Sequence, residues 1–244
     1  MYELLIAIIT AAASLVAAIS VAITARIQKR SWRRQRVIEV LNELVIPLIN
    51  MIISYKSRCQ YSGEVNTIST ATIDVKLYAK SSVIHRHFIE LLEKYCGYDE
   101  FQREIDEFNK IRQALEEKVN MLRSALVKIL HEDKRIKVLW ESRVKKTYPD
   151  WDYMKAQSTI IQEFISSWCS SKAEGVWCLL GEDLLGEIVS KFRDVFNEID
   201  TLIGRRMQTA QKLEEMLKKV LDKAIEDYNI LDLELKLEEK FIIR

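Results

Sequence analysis

The sequence predicts an all-α fold: an N-terminal single-pass transmembrane helix that continues into an elongated, antiparallel cytoplasmic helical bundle with coiled-coil-like hairpins. Three observations lead there. Residues 4–25 form an uncharged apolar run, diluted only by Thr10, Ser14, Ser20 and Thr24. Six basic residues follow it with no acid between them: Arg26, Lys29, Arg30, Arg33, Arg34 and Arg36. The 244-residue chain contains 6 Gly and 2 Pro, and it is 48% hydrophobic and 30% charged. So few chain breakers in so charged a sequence favour long amphipathic helices.

At 1.5 Å per residue, about 20 apolar residues cross the roughly 30 Å hydrocarbon core of a bilayer. The hydroxyls in the run can bond back to carbonyls of their own helix. Lys and Arg stay on the cytoplasmic side during insertion, and only Met1, Tyr2 and Glu3 precede the run. The asymmetry places the N-terminus outside and the body in the cytoplasm, at the cell membrane. A cleaved signal would show a basic n-region and a shorter apolar core, so the run reads as a retained anchor.

The sequence thus divides into an anchor (1–25), a basic juxtamembrane segment (26–36) and a cytoplasmic helical-bundle domain (37–244). The chain holds 37 basic and 36 acidic residues. Without the six basic residues and Glu3, 31 basic face 35 acidic, so the body is near −4. The positive charge therefore sits beside the membrane, where Arg26, Lys29, Arg30, Arg33, Arg34 and Arg36 are candidates for binding anionic lipid headgroups. Trp32 among them suits an interfacial anchor. A short basic run without a recognition fold does not point to nucleic acid. Cys59, Cys96, Cys169 and Cys178 form no CxxC pair or regular framework and suit a reducing cytoplasm.

Beyond the basic run, Val37, Val40, Leu41, Leu44, Val45, Leu48, Ile49 and Ile52 recur at helical spacing, so the membrane helix is expected to continue. Pro47, lacking an amide donor, should kink or interrupt it. The polar stretch 57–72 reads as a loop. A helix is expected over 73–95, with residues 72–77 as an alternative short strand because β-branched residues alternate with charges there. Gly97 suits a left-handed helix end, and Asp99 with Gln102 resembles a capping box.

The longest regular pattern follows: Phe101, Ile105, Phe108, Ile111, Leu115, Val119, Leu122, Leu126 and Ile129. Steps of three and four keep these on one seam, as in antiparallel bundles. The pattern is expected to reach about Trp140, with Pro149 as its stop. A further helix is expected over 150–171, then a Gly-bearing connection over 171–186. A long last helix carries Ile188, Phe192, Val195, Ile199 and Leu202, then Leu213, Met216, Val220 and Ile225. Polar Gly204, Arg205, Arg206 and Gln208 weaken its stripe and suggest a bend. Trp140, Trp151, Trp168 and Trp177, with Tyr148 and Tyr153, read first as packing anchors and second as a partner surface. The terminal Phe241, Ile242 and Ile243 form an apolar tip.

Little in the chain spells a chemistry. His85 and His87 diverge by about 200° on a helix and do not converge on one metal. His131–Glu132 lacks the second His of a zinc-protease motif, since position 135 is Arg. No phosphate loop, nucleophile elbow or kinase signature occurs. The expectation is therefore no catalytic residue, cofactor or metal. The function expected is a membrane-anchored scaffold or assembly protein acting through protein–protein contacts. The alternative is a membrane-tethered signalling or stress-response effector whose body senses a partner, and an enzyme with an unrecognised site stands third. Thr10, Ser14, Ala18 and Ala22 recur every four residues as a ridge of small side chains, a candidate face for homo-oligomeric association in the membrane.

Overall fold

The structure, a computed structural model, describes residues 2–61, 72–75, 79, 81–132, 134–139, 141–142, 145–147, 149–150, 161 and 182–230. Among these residues helix is the only regular secondary structure. Helix α1 spans Tyr2–Val40 and passes through a π-helical turn, Leu41–Val45, into α2, Ile46–Tyr61. Then come α3 (Ser82–Tyr95), α4 (Tyr98–Glu132), the short α5 (Lys134–Leu139) and α6 (Lys145–Thr147), and α7 (Glu182–Tyr228). Of the expected helix over 150–171 only residue 150, in a turn, and Ile161, helical and buried, are described; the connection over 171–186 up to residue 181, the tryptophan-rich quarter, Cys169, Cys178 and the apolar tip lie outside the described residues.

Several local expectations are refined. Pro47 does not interrupt the helix. The Ile46 N–H reaches back to Leu41 O, five residues earlier, and the wider π turn lies just ahead of the proline. That loosening relieves the clash a proline ring makes with the carbonyl four residues before it. The helix that runs to Tyr95 starts at Ser82, capped by Ser81; ahead of it Val75 is helical and its carbonyl accepts the Ala79 N–H at 3.0 Å. The Ser81 hydroxyl accepts the Ile84 N–H at 3.2 Å, and its carbonyl accepts the His85 N–H at 3.1 Å. Residues 72–74 are irregular, not a strand. Asn109 holds them, accepting the Ile73 N–H (3.2 Å) and donating to Ile73 O (2.9 Å).

Gly97 has φ +88°, the left-handed conformation expected of it, and its carbonyl accepts the Phe101 N–H. It thus ends α3 and begins α4. The Asp99–Gln102 capping box does not form: Asp99 lies inside the first turn of α4, where its charge suits the helix dipole, and Gln102 donates to Asp106. At the end of α7, Asn229 adopts φ +49° and the Ile230 N–H bonds Ile225 O, closing the helix as a left-handed cap does.

The chain clusters into two units. The first comprises Met1–Pro47, Val75–Tyr95 and Lys219–Arg244. In it α1 packs against α3. Its buried side chains include Val37 and Val40 from α1, Leu41 and Leu44 from the π-helical turn, Phe88, Leu91 and Leu92 from α3, and Val220, Leu221 and Ala224 from α7. Each such fully buried aliphatic side chain contributes about 2 kcal/mol.

The second unit comprises Leu48–Asp74 and Cys96–Lys218. Eight of the nine expected seam residues of α4, Phe101 through Leu126, are buried; Ile129 is half-buried. Ion pairs Lys212–Glu104 and Arg205–Glu107 link α7 to α4, with Lys118–Glu198 further along. Partners that rise in number on one helix fall on the other, so α4 and α7 run antiparallel. Arg135 of α5 continues the series with a two-pronged bond to Glu187 at 2.8 and 3.1 Å.

The buried face of α7 matches the expected one at Ile188, Ile199, Leu213 and Val220 and differs at the other positions. It runs Phe196, Ile199, Ile203, Arg206, Ala210, Leu213, Leu217, Val220 and Ala224, in alternating steps of three and four; all are buried except the half-buried Ile203. The helix continues through Gly204 without interruption. Arg206, expected to weaken the stripe, sits in it, fully buried. Its guanidinium lies over the Phe108 ring (4.2 Å) and the Tyr55 ring (5.0 Å), and those two rings meet edge to face at 5.2 Å. Stacking on aromatic faces lets this weakly hydrated cation replace part of the water it loses.

Candidate functional site

The basic segment and α3 together build a cleft in the first unit. Trp32, Arg33, Arg36 and Val37 are spaced so that one face of α1 presents all four. His87, Glu90, Leu91 and Lys94 occupy one face of α3 by the same rule. These residues, with Tyr228 at the end of α7, line a cleft of about 370 Å³. That volume lies in the range of small-molecule sites. Val37 and Leu91, both buried, supply its apolar floor.

The aromatic and cationic groups are interlocked. The Trp32 and His87 rings meet edge to face with centroids 6.3 Å apart, and the Arg36 guanidinium lies 5.3 Å from the Trp32 ring. Arg36 also bonds Glu39 at 2.8 Å, which orients its fork along α1. His87 Nδ1 lies 2.8 Å from a Glu90 carboxylate oxygen, so the one acid of the cleft is engaged by its neighbour. Lys94 lies 4.8 Å from the Tyr95 ring and 5.2 Å from the Tyr228 ring. It donates to Asp227 at 2.5 Å, and the Tyr95 hydroxyl donates to the same oxygen at 2.9 Å. The hydrogen bonds from Lys94, then Tyr95, hold the Asp227 carboxyl below its ordinary range, and the bond to Asp227 holds Lys94 above its own. Lys94 is thus a permanent cation at the rim. Arg33, exposed, makes no ion pair among the described residues.

Of the seven residues expected at the membrane surface, Trp32, Arg33 and Arg36 line the cleft. Arg34 donates instead to Asn229 O at 3.3 Å, placing a cation at the negative end of α7. Arg26, Lys29 and Arg30 are exposed on α1 and outside the cleft. Of the small-residue ridge, Ser14, Ala18 and Ala22 are exposed, and the Thr10 side chain lies outside the described set. Sequence reasoning did not find His87, Glu90, Lys94 and Tyr228 as cleft residues. The i, i+3, i+4, i+7 spacing on α3 was legible, but nothing local showed which helix it would face. No group of three or more His, Cys, Asp or Glu able to hold a metal occurs among the described residues.

The arrangement offers three cations, Arg36 paired with Glu39 and Lys94 with Asp227, and one lining carboxylate, Glu90, engaged by His87, with aromatic walls and an apolar floor. Chemically it suits a ligand with a compact negative group and a larger neutral part. Among its described lining residues no nucleophile stands beside a base. Comparison with protein-family models, curated proteins and solved structures finds no match.

Proposed function

We propose that this chain is a single-pass protein of the cell membrane, its N-terminus outside. Its cytoplasmic body, an antiparallel helical bundle, acts as a scaffold or assembly platform through protein–protein contacts, without catalysis. The observation that carries this reading is the opposite fate of two apolar stretches on one continuous helical run. Leu15, Val16, Ile19, Val21, Ile23 and Ile27 are 50–69% exposed, whereas Val37, Val40, Leu41, Leu44, Leu48 and Ile52 are at most 7% exposed. The second stretch has its core; the first needs another apolar environment. A helix here is long and apolar enough to cross a membrane, and the basic residues that follow supply the orientation.

The test is extraction and labelling. The chain should stay in the membrane pellet at alkaline pH and be released only by detergent; release by alkali would remove the anchor. In intact cells, Tyr2→Cys should react with a membrane-impermeant maleimide, and the native Cys59 and Cys96 should react only after lysis. The reverse pattern would overturn the orientation. A second reading, a tethered signalling effector, is favoured by the cleft, which lies just past the exposed apolar stretch on α1 and joins it to residues of α3 and α7.

A further inference from the structure

We propose that the cleft is a defined receptor for a phosphate ester, held by Arg33, Arg36 and Lys94 with Trp32 and Tyr228 as walls. Ordinary juxtamembrane attraction is diffuse: every Lys or Arg near an anionic surface contributes alike. Here the charges are not alike. Arg33 and Arg36 share one face with Trp32 on α1, while Lys94 comes from another helix and 58 residues further along the chain. Guanidinium groups match phosphate oxygens with paired parallel hydrogen bonds, and a lysine ammonium adds a point charge. The lining carboxylate, Glu90, is engaged by His87, while Glu39 and Asp227 pair with Arg36 and Lys94, so a bound phosphate competes with those two for their cations and meets Arg33 free of an ion pair among the described residues.

The cleft also sits at a suitable depth. Arg33 follows Ile27, an exposed apolar residue two positions past the anchor (1–25), by six positions, which is about 9 Å along the helix axis. The headgroup layer begins within that distance of the hydrocarbon edge. A phosphorylated lipid headgroup would therefore meet the cleft from the membrane, an assignment of source that rests on the membrane reading above. A soluble phosphate ester would enter from the cytoplasmic side and use the same groups.

The test uses the full chain in a neutral detergent, titrated with dioctanoyl phosphatidylinositol 4-phosphate and, separately, with the soluble inositol 1,4-bisphosphate. Saturable binding at one site per chain is expected for at least one of the two. Arg33→Gln and Lys94→Gln should each weaken it at least tenfold, and Lys94→Arg should keep it. Arg30→Gln removes the same charge from the same basic run, but outside the cleft, and should change affinity less than threefold. If Lys94→Gln fails to fold, the exposed Arg33 against Arg30 carries the comparison. Equal losses for Arg30→Gln and Arg33→Gln, or no saturation with either probe, would overturn the proposal. Tighter binding of the lipid assigns the headgroup as ligand; equal or tighter binding of the soluble compound assigns a cytoplasmic ester. Because the soluble probe needs no membrane, failure of the anchor and failure of the cleft are read separately.

Discussion

Arg206 occupies a seam position of α7 where the three-four spacing asks for an apolar side chain, and its charge is accommodated by the rings of Tyr55 and Phe108. Burial lowers the guanidinium's affinity for its proton and raises that of the Tyr55 phenol, while each group's interaction with the other opposes those shifts. Burial likewise pushes up the Cys59 thiol. A buried cation is weak evidence of stability, since an apolar residue of similar volume often serves as well. Arg206→Met should therefore be neutral or stabilising in thermal unfolding, whereas Arg206→Ala, which leaves a gap against both rings, should cost about 3 kcal/mol. Glu214 behaves differently. Burial pushes its carboxyl up, but hydrogen bonds from Lys218 (2.7 Å) and Lys56 (2.8 Å) outweigh it, and the net shift is down. A carboxylate depressed on folding stabilises above its unfolded value, near 4.5, and that stabilisation is lost as pH falls through the folded value. The difference in Tm between wild type and Glu214→Gln should accordingly narrow between pH 7 and pH 3.

At the scale of elements, α4 and α7 are held by a seam and by flanking ion pairs, and the two contribute unequally. The pairs are largely solvent-exposed, with side chains such as Arg205 and Lys212 more than half exposed. Pairs of this kind contribute little, about 0–1 kcal/mol each. Leu115, fully buried in the seam, should cost about 2–5 kcal/mol on replacement by Ala, while Lys212→Ala should shift the unfolding midpoint barely at all. A denaturant titration of both variants checks the ranking. In α1, read as the membrane anchor proposed above, the ridge of Thr10, Ser14, Ala18 and Ala22 would let backbones approach closely, which in lipid favours helix association. Changing Ser14 and Ala18 together to Ile should lower the signal of a membrane-helix association reporter. Changing Leu5 and Ile9 should lower it much less, and equal signals would leave α1 a plain anchor.

For the whole molecule, helix is the only regular structure among the described residues, and far-UV circular dichroism of the full chain in detergent should report helix well above the usual third of residues. Replacing Arg30, Arg33, Arg34 and Arg36 with Ser should loosen or invert the orientation in the membrane, read by the Tyr2→Cys labelling ratio, without reducing that helicity.

Periodicity is a local property, and the sequence by itself determined what periodicity controls. It marked the continuous helical run past residue 37, the buried face from Val37 to Ile52, the seam of α4, and the left-handed break at Gly97. Each follows from residue types spaced by three and four, or from a glycine where the chain must turn. Only the tertiary structure decided which seam of α7 is buried, because a charged Arg206 belongs in a core only when Tyr55 and Phe108 arrive from two other helices. The cleft is of the same kind. Trp32, Arg33 and Arg36 were visible as a basic, aromatic segment, but Lys94, His87 and Tyr228 join them through packing between segments far apart in sequence. A one-dimensional pattern records which face of a helix is apolar or charged; it does not record the face it will meet.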